Sequence, residues 1–166
     1  MRSLFRFLVA TATFAVASLI PALAADLPVV KKAPEINVTT LDGKPLTAAD
    51  LKGKVVVVDF WATWCGPCVA EIPGYVALQK KYGKDGLVII GVSMDRPPLD
   101  KVKKFAAKNG MNYAIVMGED GALAEAFGGF DAIPTTFLID RQGNIRHQKT
   151  GSMEHDEYEA LVKQLL

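Results

Sequence analysis

Two stretches of the chain are apolar at almost every position: Val55-Val56-Val57-Val58, running on through Asp59 to Phe60, and Leu87 to Ser93. A strand with one solvated face would alternate, whereas a continuous run of this kind reads as a strand buried on both faces, central in a covered sheet. Between the two runs, Cys68, Ile72, Tyr75, Val76 and Tyr82 recur at helical spacing and predict a helix over 68–81. Strand, helix and strand in that order form a crossover unit, so the two central strands are expected to be parallel. Leu99, Val102, Phe105 and Ala106 then share one helical face, with Lys101, Lys103, Lys104 and Lys108 mostly on the other, which predicts an amphipathic helix over 99–109 closed by Gly110. Tyr113–Met117 is strand-like and Leu123–Phe127 suits a short helix. Pro134–Ile139 and Ile145–Thr150, joined by Gln142-Gly143-Asn144, read as a hairpin, and Met153–Leu166 as a last helix. At the front, Ile36–Leu41 and Lys44–Leu46 flank the strong turn signal Asp42-Gly43, Thr47–Leu51 fits one helical turn, and Ala25–Pro34 fits an extended leader over the surface. The class is α/β.

The first 24 residues stand apart from this pattern. Arg2 and Arg6, the uncharged stretch Phe7–Ile20, then Pro21 and Ala22-Leu23-Ala24 have the order of a secretory signal peptide cleaved before Ala25. The uncharged stretch is shorter than the ~20 residues of a membrane span; an uncleaved N-terminal anchor is the alternative. Residues 25–166 suffice for one domain with its own core and are too few for two of ordinary size. With 50% hydrophobic and 22% charged residues, intrinsic disorder is excluded. The formal charge of +1 becomes −1 once Arg2 and Arg6 are gone, and no basic run is long enough to neutralise a row of phosphates, so nucleic acid is not expected as a partner.

Candidate chemistry begins with the only two cysteines, Cys65 and Cys68. Export would put them in an oxidising compartment, where cysteines ordinarily staple long loops, and a spacing of three residues cannot do that. A vicinal dithiol can instead cycle between a disulfide and two thiols. A structural zinc site wants four ligands, yet beyond the cysteines the chain offers only His147 and His155, far downstream and given no role here. Two thiolates with Met94, Met111 or Met117 as a soft third ligand could hold Cu(I), and that alternative stays open. Pro67 suits a first helical turn, where its missing N–H is not needed, so Cys65 falls at a helix N-terminus. Unpaired N–H groups and the positive end of the dipole favour a thiolate there. Cys65 is therefore the expected nucleophile and Cys68, one turn in, the resolving thiol.

Trp64-Cys65-Gly66-Pro67-Cys68 after a valine-rich strand ending in Asp59 resembles the thioredoxin superfamily, and the surrounding segments resemble one branch of it, the exported TlpA/ResA/CcmG-type thiol:disulfide oxidoreductases of bacteria. Those segments are Ala33-Pro34-Glu35-Ile36, Leu41-Asp42-Gly43-Lys44, Leu51-Lys52-Gly53-Lys54, Glu71-Ile72-Pro73, and Ile133-Pro134-Thr135-Thr136-Phe137-Leu138-Ile139-Asp140 with Gly143. Nearly the whole chain after the first 24 residues is covered. The resemblance implies a thioredoxin-like fold, a central mixed sheet flanked by helices, with an N-terminal hairpin and a helix-strand insertion over 99–117.

It also implies roles for individual residues. Asp59 would lie buried beneath the disulfide, its pKa raised, and take the proton of Cys68. Glu71, three residues past Cys68 and so on the same helix face, would act with it on the thiols; Pro73 would kink the helix. The Ile133–Pro134 bond would be cis and face the cysteines, leaving the Ile133 backbone to pair with an extended substrate segment. Trp64 would offer an apolar docking surface beside the nucleophile, with Gly66 and Pro67 completing the substrate-binding set. The implied activity is reduction of disulfides in exported proteins in the periplasm or an equivalent extracytoplasmic space, with apocytochrome c and copper-centre assembly proteins as substrate classes of the branch. No diffusible cofactor or metal is expected, because the Cys65–Cys68 disulfide is the redox group; a membrane thiol transporter would resupply electrons to a monomeric protein. Spacing alone leaves the direction open, since potentials from roughly −270 to −120 mV occur with similar motifs, although Gly66-Pro67 resembles the reducing end. A peroxidase, suggested by Ala33-Pro34, would need Pro-x-x-x-Thr-x-x-Cys, and Val58 and Ala62 stand where the proline and threonine belong.

Overall fold

The computed structural model describes residues 27–166. The signal segment expected over 1–24 lies outside the described residues. In chain order the strands are β1 (Lys31–Lys32), β2 (Val38–Thr39), β3 (Pro45–Leu46), β4 (Val55–Trp61), β5 (Leu87–Ser93), β6 (Ala114–Met117), β7 (Thr135–Ile139) and β8 (Asn144–Thr150). The helices are α1 (Ala48–Leu51), α2 (Gly66–Tyr82), α3 (Leu99–Lys108), α4 (Ala122–Ala126) and α5 (His155–Leu165). Six strands form one sheet in the order β1-β8-β7-β4-β5-β6, and β2 pairs with β3 alone. β4 and β5 are parallel from Val55↔Leu87 to Trp61↔Ser93, and β6 continues the parallel half. β7 joins β4 antiparallel and β8 joins β7 antiparallel, so the sheet is mixed.

The continuous apolar runs have the cause inferred for them: every residue of β4 is buried. Successive side chains of a strand point to opposite faces. Val56, Val58 and Phe60 therefore pack with Ile36, Phe127, Phe137 and Ile145 under the N-terminal hairpin and α4. Val55 and Val57 pack with Tyr75 and Leu78 of α2 and Tyr158 and Val162 of α5. Asp59 shares the parity of Val55 and Val57, which aims a carboxyl at the helix-covered side of the sheet. Trp61, next on that face, meets Phe105 of α3 with ring centroids 5.6 Å apart.

Three local differences from the sequence reading have physical reasons. The leader is not merely laid over the surface: Lys31 and Lys32 pair antiparallel with Ile145 and Asn144, because the outer edge of β8 otherwise has free backbone groups. The strands of the N-terminal hairpin are short, but Thr40 bridges to Val116 and the Leu41 N–H donates to the Ile115 carbonyl at 2.8 Å, so the hairpin covers the opposite edge at β6. Its turn places Gly43 at φ +82°, a conformation that only glycine adopts freely. Finally, α2 starts two residues earlier than the apolar spacing predicts and runs through Pro73 as one helix. Among the described residues, no helix is long and apolar enough to cross a membrane.

Candidate active site

β4 delivers the chain to the start of α2 through a tight turn in which the Cys65 N–H donates to the Ala62 carbonyl at 3.1 Å. Cys65 then has extended backbone and caps α2: its Sγ accepts the N–H of Cys68 at 3.3 Å, with Pro67 in the first turn. Cys65 and Cys68 are joined as a disulfide. A sulfur that accepts a main-chain N–H at a helix N-terminus is one whose negative charge, on reduction, would be stabilised by that N–H and by the dipole. Trp64 projects beside it, 66% exposed, whereas Cys65 and Cys68 retain only 6% and 1%. Both cysteines are therefore buried, Cys65 slightly less so than Cys68. Gly66 and Pro67, between the two cysteines, are exposed.

The Ile133–Pro134 peptide is cis and lies across from the cysteines. The Ile133 carbonyl oxygen is 3.7 Å from Cys65 Sγ; the disulfide sulfur carries no hydrogen, so this is a contact, and a reduced thiol could donate along it. The loop is pinned on both sides, by the Gly151 N–H to the Pro134 carbonyl at 2.9 Å and by the Thr135 hydroxyl to the Ala132 carbonyl at 2.7 Å. Trp64, Cys65, Gly66, Pro67, Ile133 and Pro134 come together on this front side.

Asp59 is 3% exposed, and its Oδ1 accepts the Thr136 hydroxyl at 3.1 Å. Burial first, and the Glu71 carboxylate second, raise its pKa to about 8 against the opposing pull of Thr136. Glu71 is half-buried: Oε1 accepts the Met153 N–H at 2.9 Å, while Oε2 is buried with no hydrogen-bond partner among the described residues. Burial raises its pKa as well, with the Met153 N–H opposing. Its hydrogen bond thus goes to the segment before α5, and its charge acts on Asp59.

Sequence reasoning missed two sets of residues. Asp95, just past β5, is 1% exposed and accepts both the Thr63 N–H at 2.8 Å and the Thr63 hydroxyl at 2.6 Å, with Ser93 Oγ at 3.0 Å and Lys101 Nζ at 3.5 Å. Burial pushes its pKa up, but the two Thr63 hydrogen bonds, Ser93 and Lys101 outweigh that and hold it below the usual carboxylate value. The available signal was a lone aspartate closing an otherwise buried apolar run. Tyr75, Thr136 and Tyr158 surround Asp59 with hydroxyls, and nothing in the sequence distinguishes those hydroxyls from ordinary core or surface ones.

A helix-capping disulfide facing a cis-proline loop, on a mixed sheet with a buried carboxyl on the face under that helix, defines a thioredoxin-like thiol:disulfide oxidoreductase whose partner is a disulfide-containing substrate. The chain belongs to the Redoxin family, whose model matches residues 28–165. It is 34% identical over 135 residues to the thiol-disulfide oxidoreductase ResA of Bacillus thuringiensis (strain Al Hakam), covering 81% of this chain and 77% of the relative. Against ResA of Bacillus subtilis (strain 168) it is 37% identical over 136 residues, covering 79% and 74%. Among solved structures, a thioredoxin-family thiol:disulfide interchange protein from Chlorobium tepidum TLS superposes with a TM-score of 0.75 at 36% identity, covering 85% of this chain and 99% of that one. The fold and the oxidoreductase class expected from the sequence are those found.

Proposed function

We propose that the chain is an exported reductant of protein disulfides, acting in the periplasm or an equivalent extracytoplasmic space. In this reading Cys65 attacks a substrate disulfide as a thiolate, forming a mixed disulfide and releasing one substrate thiolate. Cys68 loses its proton to Asp59 and attacks Cys65 Sγ, which forms the Cys65–Cys68 bond and releases the second substrate thiolate. Glu71 sets the charge that Asp59 faces. Trp64, with Gly66, Pro67 and the Ile133–Pro134 loop, receives an extended substrate segment. Apocytochrome c is the substrate class that the likeness to the ResA branch suggests. The disulfide itself is the redox group, so no diffusible cofactor or metal is needed, and a membrane thiol transporter would return the protein, a monomer, to its dithiol form.

The observation that carries this reading is the acceptance of the Cys68 N–H by Cys65 Sγ at the α2 N-cap, within 3.7 Å of the Ile133 carbonyl and beside an exposed Trp64. A Cys68→Ala variant tests it, because the mixed disulfide can then form but not resolve. Exported cysteine proteins should accumulate on Cys65 through a bond that a thiol reductant cleaves. Absence of such adducts, together with tight binding of one equivalent of Cu(I) by the reduced wild-type protein, would replace the reading with a copper-handling one.

A further inference from the structure

Asp59 is 3% exposed, on the sheet face that α2 covers, yet a base there would need to exchange its proton repeatedly with solvent. Thr136 Oγ1 lies 3.1 Å from Asp59 Oδ1, and Tyr75 Oη lies 3.3 Å from Thr136 Oγ1. Tyr75 in turn borders a cavity of about 240 Å³ between α2 and the start of α5, lined also by Glu71, Met153, His155 and Tyr158. Two buried polar atoms on the residues of that lining have no hydrogen-bond partner among the described residues, Glu71 Oε2 and Tyr158 Oη. The cavity is wide enough for several waters and opens to solvent.

Resting on the reading of Asp59 as the base for Cys68, we infer that Thr136 and Tyr75 form a proton outlet from Asp59 to water in the cavity behind α2. When Asp59 is ionised, Thr136 donates to it and accepts from Tyr75. When Asp59 is protonated, the same distances serve with both hydroxyls rotated, Asp59 donating to Thr136, Thr136 to Tyr75 and Tyr75 to the cavity. The balance over one turnover is a Cys65 thiolate, a Cys68 thiol and a substrate disulfide on one side. On the other are the Cys65–Cys68 disulfide, two substrate thiolates and one proton, which leaves through the outlet. The dithiol loses two electrons and the substrate disulfide gains them. The ionisable groups around Asp59 are Glu71 and Tyr75 from α2, Tyr158 from α5 and Tyr113 before β6. Burial first, and the Asp59 charge next, push all three phenols upward, so they stay neutral and can serve only as hydroxyls. Burial and Glu71 hold Asp59 mostly protonated at pH 7, so it must discharge before it can accept the Cys68 proton.

The test is single-turnover resolution of a mixed disulfide on Cys65, followed at pH 7 and pH 9. Tyr75→Phe and Thr136→Val should each slow resolution about tenfold at pH 7 and less than twofold at pH 9, where Asp59 starts ionised; the size of the loss is that of a modest acid–base contribution. Thr136→Ser, which keeps the hydroxyl, should stay within twofold of wild type at both pH values, and so should Tyr113→Phe, a control outside the hydrogen-bonded chain. Wild-type rates in Tyr75→Phe and Thr136→Val beside a slowed Asp59→Asn would overturn the outlet while leaving Asp59 as the base. A loss independent of pH would reduce both residues to packing and overturn it too. If Asp59→Asn is itself unimpaired, the underlying reading of Asp59 fails and the outlet falls with it.

Discussion

The two sides of one disulfide are built from different materials. Around Cys65 stand an exposed indole, the exposed Gly66 and Pro67, and a backbone carbonyl. Under α2, the helix that carries Cys68, stand a carboxyl, a threonine and two tyrosines, each no more than 4% exposed. A front of this kind can exchange partners, because its groups are already solvated and little is lost when a substrate leaves. The back is suited to moving protons, because in a low-dielectric space a carboxyl shifts toward the pKa of a thiol and hydroxyls stay paired to it. Only Gly66 and Pro67 separate the cysteine at the exposed side from the one on the buried side.

The largest effect that would break this division comes from the front. Cys65→Ser should lower the reduction of any disulfide by at least on the order of 10³-fold, since no other group can form the mixed disulfide; a substantial residual rate in an insulin-reduction assay would show that Cys68 can attack alone. Next comes Asp59→Asn, expected to slow resolution by about 10²-fold at pH 8 while mixed-disulfide formation stays within threefold. The same variant has a stability signature. A carboxyl whose folded pKa is raised from its ordinary value to about 8 stabilises the protein fully below about pH 4, and that contribution is lost as pH rises through 8. Asp59→Asn should therefore match wild type in denaturant unfolding near pH 4 and exceed it by on the order of 5 kcal/mol at pH 8. A constant difference across that range would mean that Asp59 does not titrate as its burial requires.

A smaller effect probes the joint between the two sides. Thr63→Val removes the hydroxyl that Asp95 accepts at 2.6 Å and should cost about 1–3 kcal/mol in unfolding free energy. Because Thr63 sits in the turn that presents Trp64 and Cys65, kcat/KM should fall about tenfold on a protein disulfide. Thr63→Ser should restore both; failure to do so would show that the methyl group matters and the hydrogen bond does not. The smallest effect belongs to Trp64→Ala. A side chain 66% exposed contributes little to stability, so unfolding should change by less than about 0.5 kcal/mol. Yet kcat/KM on a protein disulfide should fall about fivefold, with less than a twofold change on glutathione disulfide. Equal losses on both substrates would make the indole part of the cysteine environment and not a docking surface.

What the sequence determined on its own was everything that depends on local pattern. The buried central strands, the helix after Cys65, the capping place of that cysteine and the hairpin turns follow from periodicity, from Pro67 and from Gly43, because each is fixed within a few residues. The spacing of Cys65 and Cys68 excluded a loop staple and left dithiol cycling or a Cu(I) clamp, between which the surrounding motif chose. Only the tertiary structure decided what meets these elements from a distance. Lys31 becomes a strand because β8 has an open edge 114 positions later. Asp95 clamps Thr63 across 32 positions, Thr136 reaches Asp59 across 77, and Tyr75 reaches Thr136 across 61. Glu71, legible as a neighbour of Cys68 on one helix face, takes its hydrogen bond from Met153 across 82 positions. Periodicity says which face of an element is buried but not which polar group the opposite element will set against it. Hydrogen-bond partners are therefore settled by the packing of strands and helices, and that packing placed the hydroxyls around Asp59.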